Sequence, residues 1–171
     1  MEFDKVIRER YSVRKYSAKA IEEDRLQAVL EAGNIAPTGH NNQPQRIYIL
    51  KSEEALRKVR ELTRCAFNAP AVLLFAYDED EQWHNPFEEG IASGQQDVSI
   101  VACHMMLKAW DLGLGTCWVN YFPNSAVHDT FGLPEKEKAV LLMPIGYPAD
   151  DSRPAPLHSA VKETAETVFE L

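Results

Sequence analysis

QQDVSIVACHMMLKAWDLGLGTCWVN, residues 95–120, places Val98, Val101, Met105, Ala109 and Leu112 at helical steps and then breaks at Gly113. Met106 and Trp110 load the other side, so the helix is apolar on nearly every face. A helix of that kind is buried, either centrally in a core or across a subunit contact, and this one is expected to form the spine of a dimer. The glycines of Leu112-Gly113-Leu114-Gly115 hand the chain to a short strand entering a loop, expected over Gly115 to Asn120, where backbone without a Cβ can approach a ligand closely.

On the N-terminal side, Phe3, Val6 and Ile7 share one helical face, and Leu26, Val29 and Leu30 mark a second helix stopping near Gly33 or Asn34. Pro37, Gly39 and Pro44 punctuate residues 34–45 as a structured loop. Arg46 to Leu50 alternates as a strand, Ser52 opens a charged helix carrying Leu56, Val59 and Leu62, and Ala71 to Tyr77 reads as a buried strand. The acidic stretch Asp78 to Glu89 has no period and is expected as a surface excursion or lid. On the C-terminal side the pattern predicts a helix over Asn124 to Phe131 closed by Gly132, and a last core strand over Ala139 to Ile145. Beyond Gly146, Pro148, Pro154 and Pro156 impose extended chain leading to a final amphipathic helix ending near Phe169.

A length of 171 residues predicts a single domain over residues 1–171. The net charge of -8 argues against general nucleic-acid binding and against docking on anionic membranes, so any anionic ligand must meet locally concentrated basic groups. Cys65, Cys103 and Cys117 form an odd set without Cys-x-x-Cys spacing, and no basic-then-apolar secretory pattern opens the chain, which fits a reducing cytoplasm. The apolar runs at Ala69 to Tyr77 and Ala139 to Ile145 are too short to span a bilayer. His40, His84, His104, His128 and His158 lack metal-ligand spacing, so no metal site is expected.

Three constellations carry candidate chemistry. Arg10, Ser12 and Arg14 alternate along an extended segment, so two guanidinium forks and a hydroxyl can point to one side as an anion clamp; a solvated basic face paired with acids such as Glu9 uses the same residues. The loop Ala36-Pro37-Thr38-Gly39-His40-Asn41-Asn42-Gln43-Pro44 lines a bent backbone with amides, which both donate and accept, as the pyrimidine edge of a flavin requires; a satisfied surface turn is the simpler use. Residues Cys117, Trp118 and Val119 follow the paired glycines, with Trp118 able to stack beside a ring or to fill core.

In this order and over nearly the whole chain, these segments resemble the FMN-dependent nitroreductase family in its short, single-domain members. The matching stretches are Arg8-Glu9-Arg10-Tyr11-Ser12-Val13-Arg14-Lys15-Tyr16, Ala32 through Thr38 and on to Pro44, Leu112 to Val119, and Gly146-Tyr147-Pro148. The resemblance implies an α+β fold with a central, mainly antiparallel sheet flanked by helices, and an intertwined homodimer with two shared FMN sites. It implies that Arg10, Tyr11, Ser12 and Arg14 hold the phosphate and one side of the ring. Pro37, Thr38, Gly39, Asn41 and Gln43 of the other subunit would close the ring edge, while Cys117, Trp118 and Val119 would bring backbone groups near N5. The family adds a basic residue from the C-terminal segment; Val161 stands near that place here, leaving Lys162 or Arg153 as substitutes. Asn120 stands where the family often has glycine.

The activity implied is transfer of hydride from NADH or NADPH to the flavin and of electrons on to a nitroaromatic, quinone or similar small acceptor by a ping-pong route, with no side-chain acid or base required. Competing readings are a thiol nucleophile built from Cys117 or Cys103 with a histidine, a non-catalytic flavin-binding or redox-sensing module, and a family member running another flavin reaction such as dehydrogenation or dehalogenation.

Overall fold

The computed structural model describes residues 2–171. In chain order its elements are α1 (Phe3–Glu9), α2 (Glu23–Asn34), β1 (Gln45–Leu50), α3 (Glu53–Leu62), β2 (Ala71–Asp78), α4 (Gly94–Asp111), β3 (Gly115–Thr116), α5 (Asn124–Phe131) and β4 (Glu137–Gly146). The strands form one antiparallel sheet in the order β1-β2-β4-β3, so the fold is α+β.

β2 reads as an unbroken apolar run because it is inside the sheet and covered on both faces. Leu73 and Phe75 point to a layer made by α2 and α4, where Leu26, Val29, Val98, Val101, Met105 and Ala109 meet Leu141, Met143 and Ile145. Val72 and Leu74 point the other way, to Leu56 and Val59 of α3 and Val127 of α5. α4 thus crosses the middle of one face, and α2 lies directly on it. At Gly33 an added Cβ would stand 2.6 Å from the Met105 sulfur, so only a residue without a side chain lets the two helices approach this closely.

The local signals held at most ends. Ser52 caps α3 by accepting from the Ala55 N–H at 3.1 Å, and Gly132 closes α5 in the left-handed conformation. The short strand expected to enter a loop over Gly115 to Asn120 is regular at Gly115–Thr116, and the loop after it re-pairs at the single bridge of Val119 with Leu142. Pro144 on β4 accepts from the Cys117 N–H at 3.3 Å but has no N–H to return, so the ladder breaks there. One expectation fails: the final amphipathic helix does not form, and beyond Pro154 there are only short 3-10 turns at Pro156–Ser159 and Thr164–Glu166. Leu157, Val161, Val168 and Phe169 all stay exposed, and a helix with no surface to bury its apolar face against is marginal in water.

Phe75 is the largest side chain wholly sealed in the sheet's core. Phe75→Ala should lower unfolding free energy by about 3–5 kcal/mol, against less than about 0.5 kcal/mol for an exposed helical change such as Glu53→Ala, both read by chemical denaturation at one protein concentration.

Candidate functional site

The first group of candidate residues lies along the outer edge of β3. Ser12 bridges Thr116 in parallel, and the Val13 N–H donates to the Thr116 carbonyl at 2.8 Å. Because side chains alternate along extended chain, burying Val13 turns Ser12 and Arg14 to the other side. There they line a cleft of about 190 Å³ with Ala155, Leu157 and His158. Arg10 caps α1, its N–H donating to the Val6 carbonyl at 3.1 Å, and Arg14 Nη1 donates to the Ser12 carbonyl at 3.1 Å.

Tyr11 is a strut rather than a free cleft residue: its ring packs edge-on to Trp110 at 5.2 Å and to His158 at 6.3 Å, and its hydroxyl donates to Ser152 Oγ at 3.1 Å. Trp110 Nε1 is buried here without an acceptor among the described residues. Tyr16 fixes the inner side, its hydroxyl held between the Val13 carbonyl at 2.9 Å and the Pro144 carbonyl at 3.1 Å; burial drives its pKa far above the ordinary phenol value, so it stays a neutral donor.

Cys117 is buried beside this group, and burial pushes its thiol pKa up against the opposing influence of Arg14 and the Ser12 hydroxyl. Trp118 and Asn120 are fastened together: Trp118 Nε1 donates to Asn120 Oδ1 at 2.5 Å, and Asn120 Nδ2 donates to the Val140 carbonyl at 3.1 Å. The departure from glycine at position 120 therefore supplies a side chain that holds the indole in place.

In the C-terminal segment, Arg153 Nη1 donates to the carbonyls of Asp150 and Ser152 at 2.9 Å and 2.7 Å, which commits it to its own turn. Lys162 is exposed and is not among the residues lining the cleft. The basic side chain that does line it is His158, read in the sequence as one of five scattered histidines. It stands in the short 3-10 turn that Pro156 opens, and nothing in the local sequence marks it out from the other histidines.

The second group is the loop between α2 and β1. It turns through left-handed backbone at His40, Asn41 and Gln43, with φ of 55°, 57° and 54°. Thr38 organises it, its carbonyl accepting from the Asn41 N–H at 2.9 Å and its Oγ1 from the Gln43 N–H at 3.1 Å, while Gln43 Nε2 donates to the Asn41 carbonyl at 3.4 Å. Pro37 and the Asn41 side chain face outward. The Gly39 N–H donates to Asp97 Oδ1 at 2.7 Å, which ties the loop to the first turn of α4.

The two groups therefore sit at opposite ends of one helix. Asp97 holds the loop near the start of α4 and Trp110 holds Tyr11 near its end. At about 1.5 Å per residue the separation along the axis is roughly 20 Å. Within one protomer, Arg14 and the amide loop do not face a common ligand.

The sequence profile of the Nitroreductase family matches residues 7–67 and 63–147, and the chain belongs to that family. It is 33% identical to a nitroreductase family protein of Clostridium difficile 630, whose crystal structure superposes with a TM-score of 0.92 over 99% of this chain and 98% of that one. It is 28% identical to an NADPH-dependent oxidoreductase of Staphylococcus haemolyticus over 88% of this chain and 66% of the relative. A Desulfovibrio desulfuricans protein solved in complex with FMN shares the fold, with a TM-score of 0.82 at 24% identity over 100% of this chain and 97% of that one.

A buried thiol with a raised pKa carries little thiolate near neutrality. Iodoacetamide at pH 8 should therefore modify the half-buried Cys65 or Cys103 before Cys117 in the native protein; peptide mapping that finds Cys117 labelled first would revive the thiol-nucleophile reading.

Proposed function

We propose that this protein is an FMN-dependent NAD(P)H oxidoreductase that works as a homodimer, each flavin held between the basic cleft of one subunit and the amide-lined loop of the other. The observation that carries this reading is the placement of the two half-sites at opposite ends of α4. Two copies packed with α4 against α4 in opposite directions bring each cleft to the partner's loop, which no movement within one chain achieves.

The exposed surface suits that assembly. Phe3 and Ile7 of α1 and Ile100 of α4 are exposed apolar side chains, and a cavity of about 460 Å³ opens between the two helices among Phe3, Val6, His104 and Leu107. The C-terminal residues Leu157, Val161, Val168 and Phe169 lack a surface in their own protomer and would find one on the partner.

The residues present fit a flavin mononucleotide. In a chain of net charge -8, Ser12, Arg14 and His158 gather hydroxyl, guanidinium and imidazole donors in one cleft, as a phosphate requires. The loop from Pro37 to Gln43 offers outward amides for a ring edge, and the ladder interrupted after the Cys117 N–H leaves the Trp118 N–H without a strand partner among the described residues. Bound there, FMN would supply the chemistry that these side chains cannot, accepting hydride from NAD(P)H and delivering electrons to a nitroaromatic, quinone or similar small acceptor.

The chain's own work is to bind, orient and exclude water. Arg14 would neutralise the phosphate and His158 would offer it a donor, Trp118 pinned by Asn120 would wall the ring, and Tyr16 keeps the extended segment from Val13 to Lys15 in register with β4. A reducing cytoplasm suits the three free thiols. The relative from Staphylococcus haemolyticus is NADPH-dependent, which supports NADPH as one donor.

Arg14→Ala should weaken FMN binding about ten- to a hundredfold, the range expected for one lost charged hydrogen bond, with the loss shrinking at high salt; unchanged affinity by fluorescence titration would remove Arg14 from the phosphate site. Initial-velocity plots against NADPH and a quinone should be parallel, whereas intersecting lines would exclude a ping-pong route. Sedimentation should give a dimer, and a monomer that binds FMN tightly would overturn the shared site.

A further inference from the structure

Asp97 and Ser93 are buried polar side chains, 2% and 6% exposed, that the flavin reading does not use. Asp97 makes no ion pair among the described residues, so its carboxylate relies on hydrogen-bond donors and on its place in the first turn of α4. One oxygen accepts the Gly39 N–H at 2.7 Å and the other accepts the Ser93 hydroxyl at 2.6 Å. Ser93 Oγ in turn accepts the Trp83 N–H at 3.2 Å, and the Ser93 N–H donates to the Trp83 carbonyl at 2.9 Å. A continuous line of donors and acceptors thus runs from the Trp83 backbone through Ser93 and Asp97 to the Gly39 backbone.

The packing follows the same line. A Cβ on Gly39 would stand 2.9 Å from Ser93 Oγ and 3.1 Å from the Trp83 Cβ, so the loop rests directly on the base of the acidic excursion. That excursion is closed above Trp83 by a bridge between His84 and Ala92 and by the Asn85 N–H donating to the Ile91 carbonyl at 2.9 Å. It holds Phe87 at its tip, 96% exposed.

We infer that Asp97 is a positioning residue, locking the amide loop of residues 37–43 and the Trp83-to-Phe87 excursion into one rigid wall that sets the opening through which the electron acceptor reaches the ring. The inference rests on the flavin reading for what the wall faces; the lock itself rests only on the bonds above. Ser93 completes the lock, because its hydroxyl directs its single proton at Asp97 and so keeps its lone pairs for Trp83. In Asp97→Asn the neutral amide accepts more weakly from Gly39 than the carboxylate does, and its NH₂ meets Ser93 Oγ, whose own proton then has no acceptor, so both ends of the line loosen.

The experiment compares wild type, Ser93→Ala and Asp97→Asn by hydrogen exchange with mass spectrometry, and by kinetics with NADPH and 1,4-benzoquinone. In both variants the amides of residues 38–43 and 82–93 should exchange together, about tenfold or more faster than in wild type, with β2 amides unchanged. At saturating FMN, the KM for benzoquinone should rise several-fold in Ser93→Ala while kcat stays within about twofold, a split that general loosening would not produce. Faster exchange confined to one segment, or an unchanged KM with both segments loosened, overturns the inference. If Asp97→Asn does not fold, Ser93→Ala decides alone. A wild-type protein that stays colourless with added FMN defeats the flavin reading, and the exchange data still decide whether the two segments are locked.

Discussion

The burial of α4 against the sheet is the constraint on which the rest of the molecule depends. Val98, Val101, Met105 and Ala109 lie wholly out of water over Leu73, Phe75, Leu141 and Met143. α2 then stacks on α4 at the one place where Gly33 makes room for Met105. Because a helix is rigid over its length, fixing it also fixes what is attached at each end: Asp97 and the loop at one, Trp110, Tyr11 and the turn into β3 at the other.

The same rigidity separates two kinds of chemistry. The end near β3 gathers guanidinium, hydroxyl and imidazole groups on a chain that is otherwise acidic, while the far end presents neutral amides on strained backbone. Concentrating positive charge in one small cleft lets an anion approach a protein whose overall field repels it. Between them, the outer surface of α1 and α4 keeps apolar side chains in water, a state that association relieves.

Pro144 shapes the boundary between sheet and cleft. As a strand residue it has a carbonyl that serves both the Cys117 N–H and the Tyr16 hydroxyl, and no N–H to extend the ladder toward Trp118. The chain from Cys117 to Asn120 is consequently held to β4 by the single backbone bridge of Val119 with Leu142 and by the Asn120 side chain, which donates to the Val140 carbonyl and accepts from Trp118. Elsewhere, the edge strand β1 meets ionic partners: Arg46 reaches Asp78, Glu81 and Glu137 at 3.3 Å, 2.9 Å and 3.6 Å, and burial together with the Glu137 contact pushes the pKa of the Tyr48 hydroxyl up to about 12.

Local pattern alone determined the helices over Leu26, Leu56 and Val98, the caps at Ser52 and Gly132, the apolar strands around Phe75 and Leu142, and the bent loop after Gly33, because each depends on periodicity or on residues whose backbone preferences act within a few positions. Motif order carried the family. Only the tertiary structure decided that β3 stops at Thr116, that the tail beyond Pro156 is not an α-helix, and that His158 rather than Lys162 lines the cleft. It alone paired Asp97 with Gly39 and Ser93 with Trp83. Each of these is a contact between residues distant in the chain, set by a proline on a neighbouring strand, by a missing surface or by helix packing, and none leaves a periodic trace in the residues it joins.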